Sequence, residues 1–169
     1  MNQFEFLKTI HPFKDKLFRL AKRLLVSTEE AEDATQEIFV KLWNKNESLR
    51  NITNIEAFAV TLTKNYCFDK LKSKQSKVLK LTTDDFENNA YNLQKKLEDL
   101  DSLDWIEKIM DKLPNQQKII IQLRDIEGYE FEEIAKILDM NETAIRVALS
   151  RARKTIKELM TKIHDYGTS

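Results

Sequence analysis

The sequence predicts an all-α protein of two small helical bundles joined by a flexible linker, the C-terminal bundle containing a helix-turn-helix. Three observations carry this. Only 2 glycines and 2 prolines occur in 169 residues, whereas hairpins, sandwiches and nucleotide-binding sheets spend both residues in their turns. Apolar residues recur at three- and four-residue spacing through both halves of the chain. Between those halves the composition turns polar and acidic, with Thr82-Thr83-Asp84-Asp85 and Glu87-Asn88-Asn89 breaking any apolar period, which is how a linker reads.

Taken in order, Phe4 to Leu25 carries a helical stripe (Phe13, Leu17, Leu20, Leu24, Leu25) that Pro12 starts or kinks, because proline fits only a first turn. Ser27 and Glu30 form a capping-box signature. The helix they open puts Ala31, Ala34, Ile38 and Leu42 on one face and Asp33, Gln36, Glu37 and Lys41 on another. Residues 44–53 are polar and aperiodic and read as a loop. A helix resumes at Asn54 through Ala57, Phe58, Leu62, Tyr66 and Leu71. The linker is expected at 78–100, which bounds a first domain at 1–77 and a second at 101–165. In the second, Leu103, Ile106, Ile109 and Leu113 form one helix. Pro114 sits at the first position of the next, which runs through Ile119, Ile120, Leu123 and Ile126 and is stopped by Gly128. Two further helices, about 131–138 and 141–163, flank a short turn at Asp139-Met140.

Composition excludes several functions. Gly128 and Gly167 stand alone, so there is no phosphate-cradling glycine loop. His11 and His164 have no neighbouring ligands, so no metal is expected. Cys67 lies between Tyr66 and Phe68 without a histidine or basic cluster and reads as a packed residue. No carboxylate pair carries a pocket signature. The reading is a non-enzyme with no catalytic residues and no cofactor. A single cysteine suits a reducing cytoplasm. Neither a signal peptide nor an apolar run of membrane-spanning length is present, so no membrane insertion is expected.

The formal net charge is zero, but the charge is segregated. Residues 51–80 and 146–169 each carry a net +4, while 81–112 and 113–145 carry −5 and −4. Two basic blocks on either side of an acidic middle suggest two anion-binding surfaces, with solvated helix faces as the plainer alternative. Three of the seven arginines (Arg146, Arg151, Arg153) fall within eight residues, and the arginine fork suits phosphates and guanine edges.

Glu130 to Lys154 is the densest motif. A short helix with Ile134, Ala135 and Leu138 inward meets a longer one with Ile145, Leu149 and Ala152 inward, and Ala135 is small where crossed helices approach. That is a helix-turn-helix arrangement. It presents Arg146, Ser150 and Arg151 outward to duplex DNA, with Arg153 and Lys154 behind them for phosphates. An ordinary helical hairpin with a basic face is the competing reading.

With Glu32 to Trp43 the pattern becomes specific. This string resembles the helix by which bacterial RNA polymerase sigma factors grip the polymerase clamp. Asn54 to Lys74, with Asn65, Asp69 and Lys70 in order, is similar to the adjoining promoter-melting region, and Leu113 to Arg153 is similar to the C-terminal sigma domain. The small two-domain extracytoplasmic-function (ECF) class matches best. The resemblance implies that core RNA polymerase is a partner through Asp33, Gln36, Glu37 and Phe39. It implies that the melted −10 strand is held by Phe58, Lys64, Asn65, Asp69, Lys70 and Lys72, and that upstream duplex promoter DNA meets the helix-turn-helix. It further implies an anti-sigma partner. Some positions depart from the family pattern. Asp139 replaces a turn glycine, Phe58 a tryptophan and Ala144 a threonine, and Val147 and Ala148 stand where polar or basic residues are common. Upstream recognition then reads an unusual site, leans on phosphates, or relies on recruitment. The alternatives to a sigma factor are a stand-alone helix-turn-helix regulator and a helical adaptor recruited by another DNA-targeting protein.

Overall fold

The computed structural model describes the backbone of residues 1–79 and 102–167, and the side chains of 1–77 and 105–163. Apart from the last turn of one helix, the expected linker lies outside the described residues. Among the described residues there is no strand, and the helices form two bundles.

Phe4 to Leu25 is two helices rather than one kinked helix. Helix α1 spans Gln3–Ile10 and α2 spans Lys14–Leu25. Asn2 caps α1 by accepting from the Glu5 N–H at 2.8 Å while the Glu5 carboxylate accepts from the Asn2 N–H. Pro12 has no N–H to continue the ladder, and the chain turns through it into buried Phe13. Helix α2 buries Leu17, Leu20, Ala21, Leu24 and Leu25, each leucine contributing about 1.5–3 kcal/mol through lost water contact. It ends on Val26 at φ 68° and ψ −31°, a conformation that costs a β-branched residue roughly 1–3 kcal/mol.

Helix α3 (Thr28–Asn44) starts at Ser27, whose hydroxyl accepts from the Glu30 N–H at 3.3 Å. Glu30 does not return the bond, because its carboxylate is taken by Lys74 from the end of α5. The expected 44–53 loop contains a one-turn helix, α4 (Asn46–Leu49). Leu49 is fully buried and anchors it; a single apolar residue leaves no period to read. Helix α5 (Ile55–Leu79) begins where Asn54 Oδ1 accepts from the Ala57 N–H at 3.0 Å. Its deepest face is Ala59, Thr63 and Cys67, not the larger Phe58, Leu62 and Tyr66, which flank it half-buried. Small residues let α5 lie close to α2 and α3, and the Thr63 hydroxyl is satisfied by donating to the Ala59 carbonyl.

In the second bundle, α6 (Ser102–Asp111) buries Ile109 and Met110, while Ile106 is 39% exposed. Pro114 is the cap of α7 (Asn115–Ile121) and not its first residue. The helix then widens into a π turn over Gln122–Ile126 that leaves Ile126 exposed and ends at Gly128, φ +79°. Helix α8 (Phe131–Leu138) buries Ile134 and Ile137, where Ala135 and Leu138 were expected beside Ile134. Asp139 adopts the left-handed conformation, φ 52° and ψ 51°, which Asp tolerates better than most residues. Helix α9 (Glu142–Gly167) follows, with Ile145, Leu149 and Ala152 inward as expected.

The two bundles dock directly. Helix α2 packs on α6, α7 and the π turn, and α5 packs on α8. Arg19 donates from Nε and Nη2 to the two carboxylate oxygens of Glu127 at 2.7 and 2.9 Å. Arg23 donates to Gln122 Oε1 at 3.0 Å and lies 3.6 Å from Asp111. Gln122 donates in turn to Glu127 at 3.3 Å. Lys16 pairs with Glu56 at 3.1 Å and sits 5.2 Å from the ring centre of buried Tyr129. Lys118 is buried beside them. Burial raises the Asp111 carboxyl, although Lys118 and Arg23 pull the other way, and burial lowers the Lys118 ammonium. Burial also works against the Glu127 carboxylate, but Arg19 outweighs it and the group stays below its ordinary value. The π turn's extra residue brings Gln122 and Glu127 onto this face together.

Candidate functional site

Helix α3 turns Asp33, Gln36 and Glu37 to solvent because Ala31, Ala34, Ile38 and Leu42 are taken by the core. Among the described residues none of the three has a side-chain hydrogen bond or ion pair. Phe39 is half-buried and packed against the core, so it shapes the helix from behind instead of presenting a free ring. The same outward stripe continues into Val40 and Trp43, 53% and 38% exposed, with Trp43 set edge-on against Phe6 at 5.1 Å. The sequence reading missed these two as surface residues. Their spacing from Asp33 and Gln36, seven in each case, is the signal that would have found them.

On α5, Asn65, Asp69 and Lys72 are exposed at four- and three-residue spacing, so they share a face. Lys70 is exposed and Lys64 half-buried. Phe58 is half-buried with Lys45 above its ring at 5.7 Å. Tyr66 takes Lys41 of α3 at 5.2 Å and Lys70 at 5.8 Å. Aromatic rings flanked by lysines and bordered by a free amide and carboxylate form a surface that can stack bases and follow a phosphate chain. Tyr66, Lys41 and Lys45 were not among the expected residues; the ring comes from α5 and the two lysines from the end of α3. Lys74, bound to Glu30, is not free in this arrangement.

On α9, Arg146, Ser150, Arg151 and Lys154 all face solvent. Arg153 does not join them as a free cation. Its Nε donates to Asp125 at 3.0 Å and its Nη2 binds the other carboxylate oxygen, a two-point pair that holds the guanidinium charged. The Arg146 guanidinium lies 4.7 Å from the ring centre of Phe131, the first residue of α8, and Arg124 lies 4.5 Å from the same ring. Arg124 is further tied to the Tyr129 carbonyl at 2.9 Å and to Glu130 at 3.5 Å. Val147 is 44% exposed between the arginines.

Cys67 is fully buried and burial pushes its thiol up to about 12, the chemistry of a packing residue. Among the described residues no group of His, Cys, Asp and Glu could hold a metal, and no helix is long and apolar enough to cross a membrane. His11 is exposed; His164 lies outside the described side chains.

Comparison with known proteins follows the same division. The family pattern for sigma-70 region 2 matches residues 9–77, and that for sigma-70 region 4 matches 103–156. The RNA polymerase sigma factor SigV of Bacillus subtilis is 28% identical over 149 residues, covering 88% of this chain and 87% of the relative. The ECF RNA polymerase sigma-E factor of Haemophilus influenzae is 29% identical over 159 residues, covering 86% and 82%. Among solved structures, the sigma factor RpoE of Bartonella quintana, in complex with the anti-sigma factor NepR, superposes with a TM-score of 0.74 at 20% identity over 93% of this chain and 97% of that one. The fold is shared.

Proposed function

This chain belongs to the sigma-70 family as an ECF sigma factor that directs RNA polymerase to promoters, and from that premise we propose how its surfaces divide the work. Residues 1–77 act as region 2, 78–100 as the acidic connection and 101–165 as region 4. The outward stripe of α3 binds the polymerase clamp: Asp33, Gln36 and Glu37 offer acceptors to a polar, basic helix, and Val40 and Trp43 add apolar contact beside them. Phe39 supports the stripe from the core side.

The lysine-flanked face of α5 receives the opened −10 strand. Asn65 and Asp69 lie on the side from which an unstacked base edge is read. Phe58 and Tyr66 border that pocket, and Lys64, Lys70 and Lys72 follow the backbone. On α9, Arg146, Ser150 and Arg151 enter upstream duplex, with Val147 suited to a thymine methyl, and Lys154 meets phosphate. Arg153 meets phosphate with its charge already offset by Asp125.

The chain supplies no catalytic group. Its work is differential binding, favouring melted over closed promoter DNA, while the polymerase performs the chemistry in the cytoplasm. An anti-sigma partner holds it inactive, a reading supported by the Bartonella relative's complex with one. The observation that carries all of this is that three outward faces bear free polar and charged side chains at once.

Reconstituted transcription tests it. Core polymerase with the full chain should initiate at defined sites selected from random duplex sequences. Asn65→Ala should lower open-complex formation about tenfold while leaving polymerase binding intact; equal losses in both would make Asn65 structural. Sequence-specific duplex binding without any polymerase-dependent initiation would favour the stand-alone regulator.

A further inference from the structure

The arginines of α9 are held in two chemically different ways. Arg153 spends two of its five N–H donors on the Asp125 carboxylate, whose charge offsets its own. Arg146 makes no ion pair among the described residues; its only marked neighbour is the half-buried ring of Phe131, 4.7 Å from the guanidinium carbon. Contact with a ring face restrains a guanidinium through the ring quadrupole and uses none of its in-plane N–H donors. Phe131 itself is fixed. It opens α8, packs against the core and carries Arg124 at 4.5 Å, and Arg124 is anchored by the Tyr129 carbonyl and by Glu130. Glu130 offsets the charge of Arg124, so the uncompensated cation at this ring is Arg146.

The geometry points to Phe131 as a positioning residue for promoter binding: its ring pre-orients Arg146 at the front of the recognition helix with all five donors open to DNA. The inference rests on the proposed role of α9. A flexible arginine loses rotamer freedom when it binds, and restraining it beforehand removes part of that cost. A carboxylate in place of the ring would restrain it equally and consume the donors. Phe131 belongs to the first helix of the pair, yet it acts on the second.

The test uses holoenzyme reconstituted from the full chain and core polymerase, binding a promoter fragment recovered by selection from random duplexes, across a range of salt. Phe131→Leu should weaken binding about two- to fivefold, the scale of an exposed cation–π contact. Arg146→Ala should weaken it further and lower the log-log salt slope by about one if a phosphate is among its contacts. The double variant should bind no worse than Arg146→Ala alone, because the ring then has nothing to position. Stepwise fluorination of the Phe131 ring keeps its shape while draining the quadrupole, so affinity should fall with each fluorine even if Phe131→Leu folds poorly. Equal losses from Phe131→Leu in the parent and Arg146→Ala backgrounds, or indifference to fluorination, would overturn the positioning role alone. An Arg146→Ala holoenzyme that binds like the parent would instead remove the premise, the contact between α9 and DNA.

Discussion

Along α2, Arg19 and Arg23 end on acceptors of the other bundle, and Glu127, Gln122, Asp111 and Lys118 are drawn in around them. Along α3, α5 and α9, Asp33, Glu37, Asn65, Asp69, Arg146 and Arg151 end in solvent, with no hydrogen bond or ion pair to their side chains among the described residues. Both sets are built mainly on Arg, Asp and Glu, and they differ in partnering. Charges that serve the chain's own assembly are paired and partly buried. The exposed charges of α3, α5 and α9 without such partners are the ones that the proposed function assigns to other molecules.

Four experiments press on that contrast. The largest effect should come from Asp111→Ala, which takes from Arg23 and buried Lys118 the carboxylate whose charge acts on both. A loss of about 3 kcal/mol in urea unfolding is expected. Lys118→Met should instead be neutral or slightly stabilising, because burial already disfavours its charge. On the outward side, Asp33→Ala with Glu37→Ala should leave unfolding within about 0.5 kcal/mol of the parent while weakening core polymerase binding roughly tenfold. Full-strength binding by a well-folded double variant would remove α3 from the clamp interface.

Third in size is Val26, strained and 40% exposed at the α2–α3 turn. Val26→Gly should raise stability by about 1 kcal/mol, read as a higher midpoint in urea, since little apolar burial is lost and the left-handed strain is relieved. The smallest effect is with pH. Glu127 titrates below its ordinary value, so its contribution is complete above about pH 4.5 and fades as pH falls through the lower folded value. Asp111 titrates above its ordinary value, so its protonation favours the fold as pH falls towards about 3.8 and works against that loss. Glu127→Gln should therefore flatten the acid limb of a stability profile, and Asp111→Asn should steepen it.

Much of this was legible in the sequence. The helix-turn-helix was, because Ile134, Ile145, Leu149 and Ala152 keep a clean period and Asp139 stands at the one position that needs a left-handed residue. Asp33 and Glu37 were placed away from the apolar stripe of their helix for the same reason, whereas Asn65 and Asp69 came from the family resemblance. What escaped depends on neighbours distant in the chain. Leu49 is a lone apolar residue in a polar stretch, so its anchoring of α4 has no local signature. Thr63 lines the deep face of α5 beside Cys67, which did read as packed, because closeness to α2 and α3, not hydrophobicity, selects it. Arg19 and Arg23 look like any solvated pair until Glu127 and Gln122 arrive from about a hundred positions away. Arg153 was grouped with the free cations because nothing in the local pattern announces Asp125.

The widened turn at Gln122–Ile126 has one more consequence. A π turn holds one extra residue within a single turn, so removing it would restore ordinary winding and leave Gly128 and the reading head beyond it pointing roughly as before. Gln122 and Glu127 would no longer share a face, and Arg19 and Arg23 would lose acceptors that now stand side by side. One codon lost at that site is thus enough to loosen the seam between the bundles without altering a residue proposed to touch DNA.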